Sequence, residues 1–328
     1  MILCFGETLL RLIPQLEGKW IEQAALTTYV GGAELNTAFA LAKWGQKTAY
    51  ATALPDHYLA REIIEYLQKN GIETSRIVRR DGRIGTYFLP QGSDVKNSGV
   101  IYDRGFSAFA NLTLEDLDFN KLFGDVHWFH ISAICPAINS EAAHISLALL
   151  REAKRRGITT SIDFNFRAKL WQWGAKPAEI MPELTKNCDV LMGNLWAMQS
   201  LLGIETFLEN NFETDREKLL EAAGKSMMAI HRQFPNVQAM AYTFRLEEEY
   251  FGVLQHGREF VFSKTYPIQQ VLDKVGSGDT FMAALILGLK NGWSAQEIIE
   301  FGAKAAVRKL GEFGDHTGSG IEEIMGNL

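Results

Sequence analysis

Short apolar runs of strand length alternate along this chain with longer segments that have the apolar periodicity of helices. We predict strands at 2–5, 48–54, 126–131, 158–164, 189–192, 237–243 and 250–254, and helices at 33–44, 58–70, 141–156, 215–233 and over most of 278–310. A helix between two strands returns the chain to the edge where the first strand began, so successive strands run parallel. The pattern therefore predicts an α/β fold in which helices cover both faces of a mainly parallel sheet.

Two polar, strand-like segments rich in glycine, threonine and tyrosine, at 10–30 and 83–106, interrupt this alternation. We expect them to leave the main sheet and to form a small β-sheet, which would act as a lid that excludes water from a reactive phosphate. The alternative is a pair of long surface hairpins, and the sequence barely separates the two. We predict a single domain over residues 1–328, with the lid built from these two segments.

Composition restricts the partners that this chain can have. Of the 328 residues, 47% are hydrophobic and 22% are charged, and the net charge of −6 predicts no nucleic-acid partner. No apolar run is long enough to span a membrane, and the first residues lack the basic segment that begins a signal peptide. The three scattered cysteines have no metal-binding spacing and favour a reducing compartment. We therefore expect a cytoplasmic protein with no membrane partner.

The strongest chemical signal lies near the C-terminus, where the chain reads DKVGSGDTF from Asp273 onward and then becomes apolar. If a helix begins here, its first N–H groups point outward at its positive end, and Gly276 and Gly278 let an anion approach them closely. Asp279 would lie beside that anion and accept the proton of a hydroxyl group, as phosphoryl transfer requires. The alternative is a Gly-Ser-Gly turn around Ser277 with no chemical role.

A second signal opens the first predicted long helix, in the run from Gly31 and Gly32 to Asn36. Paired glycines at the start of a helix let a small ligand approach the backbone N–H groups. The alternative is a helix N-terminus that packs tightly against the sheet, with no ligand.

Polar side chains also follow the strand predicted at 158–164. Strand alternation places Asp163, Asn165 and Arg167 on one side, where burial is costly unless they are paired or bound to a polar ligand. The alternative is an internal ion pair between the aspartate and the arginine. In the strand before it, His127 and His130 point to opposite faces, which favours structural roles over metal binding.

The predicted lid contains Tyr87, Tyr102 and Arg104, and this arginine could close over an anionic substrate. The alternative is a solvated surface arginine. Late in the chain, Asp315 lies in a polar turn and could reach a site, although a surface turn is the simpler expectation.

Two of these motifs together resemble the signatures of the ribokinase/PfkB family of carbohydrate kinases. The run from Gly31 to Ala38, continuing to Gly45, is similar to the N-terminal signature, and the run from Asp273 to Asp279 is similar to the C-terminal one. They occur in the expected order, and the resemblance covers essentially the whole chain. Within the family, the sequence is most similar to 2-keto-3-deoxygluconate kinases, on the stretches YDR, FHISA, DFNFR and GDH.

The resemblance implies a Rossmann-like ribokinase fold with a β-sheet lid. It implies ATP-dependent phosphorylation of a sugar acid at its 6-hydroxyl, with Mg²⁺ as cofactor, in a homo-oligomer of two or more chains. Asp279 would be the general base, and the N–H groups of Gly276, Ser277 and Gly278 would form the anion hole. The candidate substrate-binding residues are Gly31, Gly32, Asn36, Tyr87, Tyr102, Arg104, Asn165, Arg167 and Asp315.

Two segments depart from the family pattern. The family's N-x-x-E motif helps to organise Mg²⁺ and phosphate, but the segment that begins at Asn194 has Ala197 in place of the glutamate. The turn near the nucleotide usually contains glycine, whereas 243–249 has none. Arg245 could supply positive charge to the ATP phosphates or be an exposed loop residue. The candidate nucleotide contacts are Asn194, Thr243, Arg245, Gly276 and Gly278, and no residue is assigned to a metal.

The arginines at candidate site positions favour an acidic sugar, because a carboxylate matches the fork of a guanidinium group whereas a neutral sugar needs hydroxyl partners. The predicted substrate is 2-keto-3-deoxy-D-gluconate. One alternative is another sugar kinase of the family, such as a fructokinase. An alternative of a different class is an inert PfkB-like sensor that binds sugar or nucleotide, supported only by the two departures from the family pattern.

Overall fold

The structure is a computed structural model that describes residues 1–14, 19–21, 25–90 and 99–326. The chain forms two compact units, each made of segments that are separated in sequence. The first unit consists of Met1–Val126, Gln269–Ala283 and Ala305–Leu328, and the second consists of His127–Ile268 and Ala284–Lys304.

The strands and helices are numbered here in chain order. The strands are β1 (Ile2–Phe5), β2 (Leu9–Pro14), β3 (Leu26–Gly31), β4 (Thr48–Ala51), β5 (Ala53–Leu54), β6 (Ile72–Glu73), β7 (Val78–Arg79), β8 (Gly85–Phe88), β9 (Ile101–Asp103), β10 (Trp128–Ser132), β11 (Thr159–Asp163), β12 (Val190–Gly193), β13 (Ala239–Arg245), β14 (Glu249–His256), β15 (Glu259–Phe262) and β16 (Tyr266–Pro267). The helices are α1 (Ala33–Lys43), α2 (Tyr58–Lys69), α3 (Phe119–Phe123), α4 (Cys135–Ile138), α5 (Ser140–Arg155), α6 (Pro177–Thr185), α7 (Leu195–Leu202), α8 (Arg216–Gln233), α9 (Ser277–Lys290), α10 (Ala295–Leu310) and α11 (Ile321–Met325).

In the first unit, β1 pairs in parallel with β4, and β4 pairs in parallel with β6. Both β1 and β4 are buried along their whole length, as expected for strands with apolar residues on both faces. The helix α1 connects the small sheet to β4 and begins after Gly32, whose carbonyl oxygen accepts a hydrogen bond from the Asn36 N–H at 2.7 Å.

The first unit also contains a separate four-stranded sheet in the order β3-β2-β8-β9. Strand β2 runs antiparallel to β3 and parallel to β8, and β8 runs antiparallel to β9. These strands come from the two polar segments at 10–30 and 83–106, so the predicted small sheet is confirmed. Residues 15–18, 22–24 and 91–98 of those segments lie outside the described residues.

In the second unit, six strands lie side by side in the order β15-β14-β13-β12-β11-β10. The four from β10 to β13 are parallel, and β14 and β15 continue the sheet in antiparallel pairing. The predicted α/β fold with a mainly parallel sheet is therefore confirmed. In the part of the chain that the structure describes, no helix combines the length and apolarity needed to cross a membrane.

Two details of the second unit differ from the sequence prediction. Strand β11 ends at Asp163, and the Phe166 N–H donates to the Phe164 carbonyl oxygen at 2.8 Å, a tight turn that ends the extended backbone. The predicted alternation through Asn165 and Arg167 is therefore wrong. The loop predicted after residue 243 is also shorter, because β13 and β14 pair as far as Arg245 and Tyr250.

The buried His130 provides a test of the second unit's packing. Its Nδ1 lies 3.0 Å from the Ser161 hydroxyl, and burial lowers its pKa from 6.5 to about 3. Between those pH values the unfolded chain binds a proton that the folded chain does not. The contribution of His130 to the free energy of unfolding is therefore fully present above pH 6.5 and is lost as the pH falls. For one such group, the free energy of unfolding changes by about 1.4 kcal/mol per pH unit.

We expect the His130→Gln variant to lose about 2 kcal/mol less unfolding free energy than the wild type when the pH falls from 7 to 5. Urea denaturation at the two pH values measures this difference. His127 is exposed, so His127→Gln is the matched control and should keep the wild-type pH dependence. Equal pH dependence in the wild type and His130→Gln would show that His130 is not a buried neutral group.

Candidate active site

The helix α9 begins at Ser277, within the C-terminal glycine motif. Gly276 precedes it with a φ of +82°, in the left-handed region, and its carbonyl oxygen accepts bonds from both the N–H and the hydroxyl of Thr280 at 2.8 Å. A side chain on Gly276 would collide with the carbonyl oxygen of Asp315, so only glycine fits there. The first N–H groups of an α-helix have no acceptor inside the helix, which makes this turn suitable for an anion.

Asp279 lies in the first turn of α9 and contacts the start of α1. Its Oδ2 accepts a hydrogen bond from Nδ2 of Asn36 at 2.7 Å, and both side chains are buried. The hydroxyl of Thr37 donates to the main-chain carbonyl oxygen of Asp279 at 3.2 Å. The two glycine motifs, which are about 240 residues apart, therefore meet at this carboxylate.

A fully buried arginine fixes the segments on either side of α9's first turn. Arg11, on β2, donates from Nη1 to Asp273 at 2.7 Å and to Asp315 at 3.0 Å, and all three side chains have no solvent exposure. Asp315 also accepts a hydrogen bond from the Tyr87 hydroxyl. Asp273 in turn accepts from the main-chain N–H of Val275 at 3.1 Å, so the arginine is connected to the glycine turn itself.

The electrostatics of this cluster follow from burial and opposite charge. Burial raises the pKa of Asp273, although Arg11 opposes the shift. Burial alone would lower the pKa of Arg11, but its negative neighbours outweigh that effect and raise it. Lys309 is buried nearby and burial lowers its pKa, while Asp273, Glu312 and Asp315 favour its charged form. Two cations, Arg11 and Lys309, thus accompany the carboxylates of Asp273 and Asp315.

A second ion pair holds Arg104, one of the predicted substrate-binding residues. Its Nε donates to Glu7 at 2.5 Å, and the hydroxyl of Ser107 donates to the other oxygen of the same carboxylate at 2.5 Å. The guanidinium carbon of Arg104 also lies 5.9 Å from the ring centre of Tyr102. Arg104 is only 7% exposed, so the alternative of a solvated surface arginine is wrong.

Other predicted residues of the first unit lie around this cluster. Tyr102 packs on the apolar group of Leu9, Tyr87, Leu89, Val100 and Val275. Gly31 lies so close to Asp315 that a Cβ atom on it would stand 2.8 Å from the Cβ of that aspartate. Tight packing therefore accounts for the glycine at position 31, and its role in ligand binding stays a prediction.

The predicted residues of the second unit lie at or just after the ends of three neighbouring parallel strands, β11, β12 and β13. Asn165 and Arg167 come after β11, and Nη1 of Arg167 donates to the Phe166 carbonyl oxygen at 3.0 Å. Asn194 follows β12 and caps α7, accepting from the Ala197 N–H at 2.9 Å. Thr243 and Arg245 lie at the end of β13, opposite Gly252 and Tyr250. Parallel strands end at one edge of the sheet, so these residues share that edge within the second unit.

Sequence reasoning missed Glu7, Arg11 and Lys309. Signals for two of them were present: Arg11 interrupts the otherwise apolar run of β2, and Glu7 follows the carboxyl end of β1, where ligand sites form in parallel sheets. Lys309 carries no such signal, since a basic residue in the last turn of a helix is ordinary.

We expect Arg11→Leu to lower the free energy of unfolding by about 3–5 kcal/mol, because it leaves two buried carboxylates without their shared cation. Urea denaturation measures the loss. Arg61→Leu is the matched control: its ion pair with Asp56 is 56% and 73% exposed, so its loss should stay below about 1 kcal/mol. A loss of that small size for Arg11→Leu would contradict the structural role of the buried cluster.

The model of the pfkB family of carbohydrate kinases matches residues 1–320. A 2-dehydro-3-deoxygalactonokinase from Haloferax volcanii is 28% identical, over 96% of this chain and 92% of that protein. A 5-dehydro-2-deoxygluconokinase from Geobacillus thermodenitrificans is 27% identical, over 87% of this chain and 79% of that protein.

Among solved structures, the 2-dehydro-3-deoxygluconokinase of Thermotoga maritima superposes with a TM-score of 0.88 and is 32% identical. That likeness covers 98% of this chain and 97% of the other. The family match over nearly the whole length and this structural likeness agree with the two glycine motifs that meet at Asp279. The chain belongs to the pfkB family of carbohydrate kinases.

Proposed function

We propose that this kinase transfers the γ-phosphate of ATP to the 6-hydroxyl of a sugar acid, specifically 2-keto-3-deoxy-D-gluconate. The observation that carries the proposal is the position of Asp279 in the first turn of α9, where a carboxylate and an anion-binding helix terminus occupy one turn. A phosphoryl acceptor needs a group that takes the hydroxyl proton, and the phosphoryl group needs neutralisation of its charge. One turn of this chain offers both.

Each part of the turn has a distinct role in this mechanism. The Asp279 carboxylate accepts the proton of the sugar hydroxyl as its oxygen forms the new bond to phosphorus. The N–H groups around Gly276, Ser277 and Gly278 stabilise the negative charge on the oxygens of the transferred group. The bond between that phosphorus and the leaving ADP oxygen breaks in the same transfer, so that the products are the sugar phosphate and ADP.

An acidic substrate is supported by Arg104 and by the relatives. Arg104 is buried and held by Glu7, and a guanidinium group matches a carboxylate better than a neutral sugar. The relatives described above are named as kinases of dehydro-deoxy derivatives of sugar acids. We keep as proposed substrate contacts Gly31, Gly32, Tyr87, Tyr102, Arg104, Asn165, Arg167 and Asp315. Asn36, the other predicted contact, donates to Asp279 instead.

Kinases of this family use ATP and Mg²⁺, and the described residues are compatible with both. Gly276 packs against the main-chain oxygen of Asp315, where no side chain would fit, and we propose that the N–H groups of the turn that it forms bind a phosphate. Among the described residues no three His, Cys, Asp or Glu side chains form a metal site. Mg²⁺ in kinases is held largely by phosphates and water, so such a cluster is not required. We propose Asn194, Thr243 and Arg245 as further nucleotide contacts.

A substrate panel tests the proposal directly. ADP release is measured with ATP, Mg²⁺ and one of 2-keto-3-deoxygluconate, 2-keto-3-deoxygalactonate, 5-keto-2-deoxygluconate, fructose or ribose. We expect the highest kcat/KM with 2-keto-3-deoxygluconate. A preference for fructose or ribose would overturn the acidic substrate and favour a neutral-sugar kinase. From the family alone we also propose a cytoplasmic homo-oligomer.

We expect Asp279→Asn to lower kcat by about 10²- to 10⁴-fold while KM for ATP changes little, because only the proton acceptor is lost. Steady-state kinetics with the preferred sugar measures both quantities. Asp56→Asn, which removes an exposed carboxylate, is the control and should keep wild-type turnover. Unchanged turnover in Asp279→Asn would exclude this aspartate as the base, and a wild type without turnover on any sugar would favour an inert sensor.

A further inference from the structure

The hydrogen bond between Asn36 and Asp279 gives Asn36 a role that differs from substrate binding. Nδ2 of Asn36 donates to Oδ2 of Asp279 at 2.7 Å, inside the protein and 243 positions away in sequence. Asn36 is 2% exposed and Asp279 is 7% exposed, so this bond competes little with water. The bond fixes one oxygen of the carboxylate and thereby the direction in which the other oxygen points.

The rest of the Asn36 amide is unfavourable for stability. Its Oδ1 is buried and has no hydrogen-bond partner within the described structure. Leaving a buried acceptor without a partner destabilises a protein. Rotating the amide by half a turn would not help, because Oδ1 would then face Oδ2 of Asp279, two acceptors without a proton between them. The N–H donation to the carboxylate therefore decides how this side chain is oriented.

Local helix stability does not account for an asparagine here either. Position 36 lies in the first turns of α1, where alanine or leucine has a higher helix propensity. Its neighbours Leu35 and Ala38 are fully buried apolar residues, so an apolar side chain would suit these surroundings. Neither burial nor propensity favours this residue, whereas the contact with Asp279 does.

We propose that Asn36 is a positioning residue that orients the Asp279 carboxylate for proton transfer. The proposal rests on the function proposed above, in which Asp279 takes the proton of the sugar hydroxyl. A neutral amide suits this role because its hydrogen bond orients the carboxylate and the amide adds no positive charge of its own. A positive charge would weaken the carboxylate as a proton acceptor. Loss of orientation lowers the rate of the chemical step and leaves substrate affinity nearly unchanged.

The test compares Asn36→Ala and Asn36→Asp with the matched control Thr37→Val. Asn36→Asp keeps the shape of the side chain and removes the N–H donor. Thr37 is equally buried on the same helix and donates to the same aspartate, but to its main-chain carbonyl oxygen. We expect both Asn36 variants to lower kcat about 10- to 100-fold with KM for sugar and ATP within about threefold of wild type. Thr37→Val should keep kcat within about threefold.

A double-mutant cycle separates positioning from a general loss of structure. In an Asp279→Asn background, Asn36→Ala should have little further effect on the residual turnover, because the group that it orients is already gone. Multiplying effects in the double variant, a raised KM for the sugar with unchanged kcat, or wild-type kcat in both Asn36 variants would each overturn the proposal. If the wild type phosphorylates no sugar, the proposed function itself fails, which is a different result from an active wild type with an indifferent Asn36.

Discussion

A positive charge inside the first unit, with no access to water, is tolerable only where carboxylates surround it. Arg11 is such a charge, and its partners Asp273 and Asp315 are 262 and 304 residues away along the chain. An isolated buried arginine is strongly unfavourable, so β2, the turn before α9 and the loop after α10 must come together for any of the three to be satisfied. The glycine turn at the start of α9 depends on this compensation for its position.

Asp315 takes part in several of these contacts at once. Its carboxylate accepts bonds from Arg11 and Tyr87, and its main-chain oxygen lies where a side chain on Gly276 would be. Gly31 packs against the same aspartate from the end of β3. The small sheet, the first glycine motif and the second glycine motif thus contact a single residue, so a shift of any one of them changes the environment of the others.

How far the sequence predicted these features depends on whether the signal is local. The strands and helices follow from apolar periodicity, which a window of residues contains in full, and the glycine motif of α9 follows from backbone geometry. The pairing of Arg11 with Asp273 is not local, because the sequence around either residue does not indicate which distant residue it contacts. Arg104 was found as a candidate from its position, but its partner Glu7 lies 97 residues earlier in the chain, between β1 and β2. The turn after Asp163 was missed because a single hydrogen bond ends the strand there, and the sequence pattern does not indicate such a bond.

Two kinds of contact occur around the start of α9: ion pairs of the neighbouring aspartates, and an amide hydrogen bond to Asp279. The cations Arg11 and Lys309 accompany Asp273 and Asp315, which lie beside the turn and not in it. The Asp279 carboxylate accepts a hydrogen bond from the neutral side-chain amide of Asn36, on α1. A hydrogen bond from an amide restricts the direction of a carboxylate and adds no charge beside it. The ion pairs of Asp273 and Asp315 therefore hold the segments around the turn, and the bond from Asn36 adds a directional contact to the carboxylate that is proposed as the base.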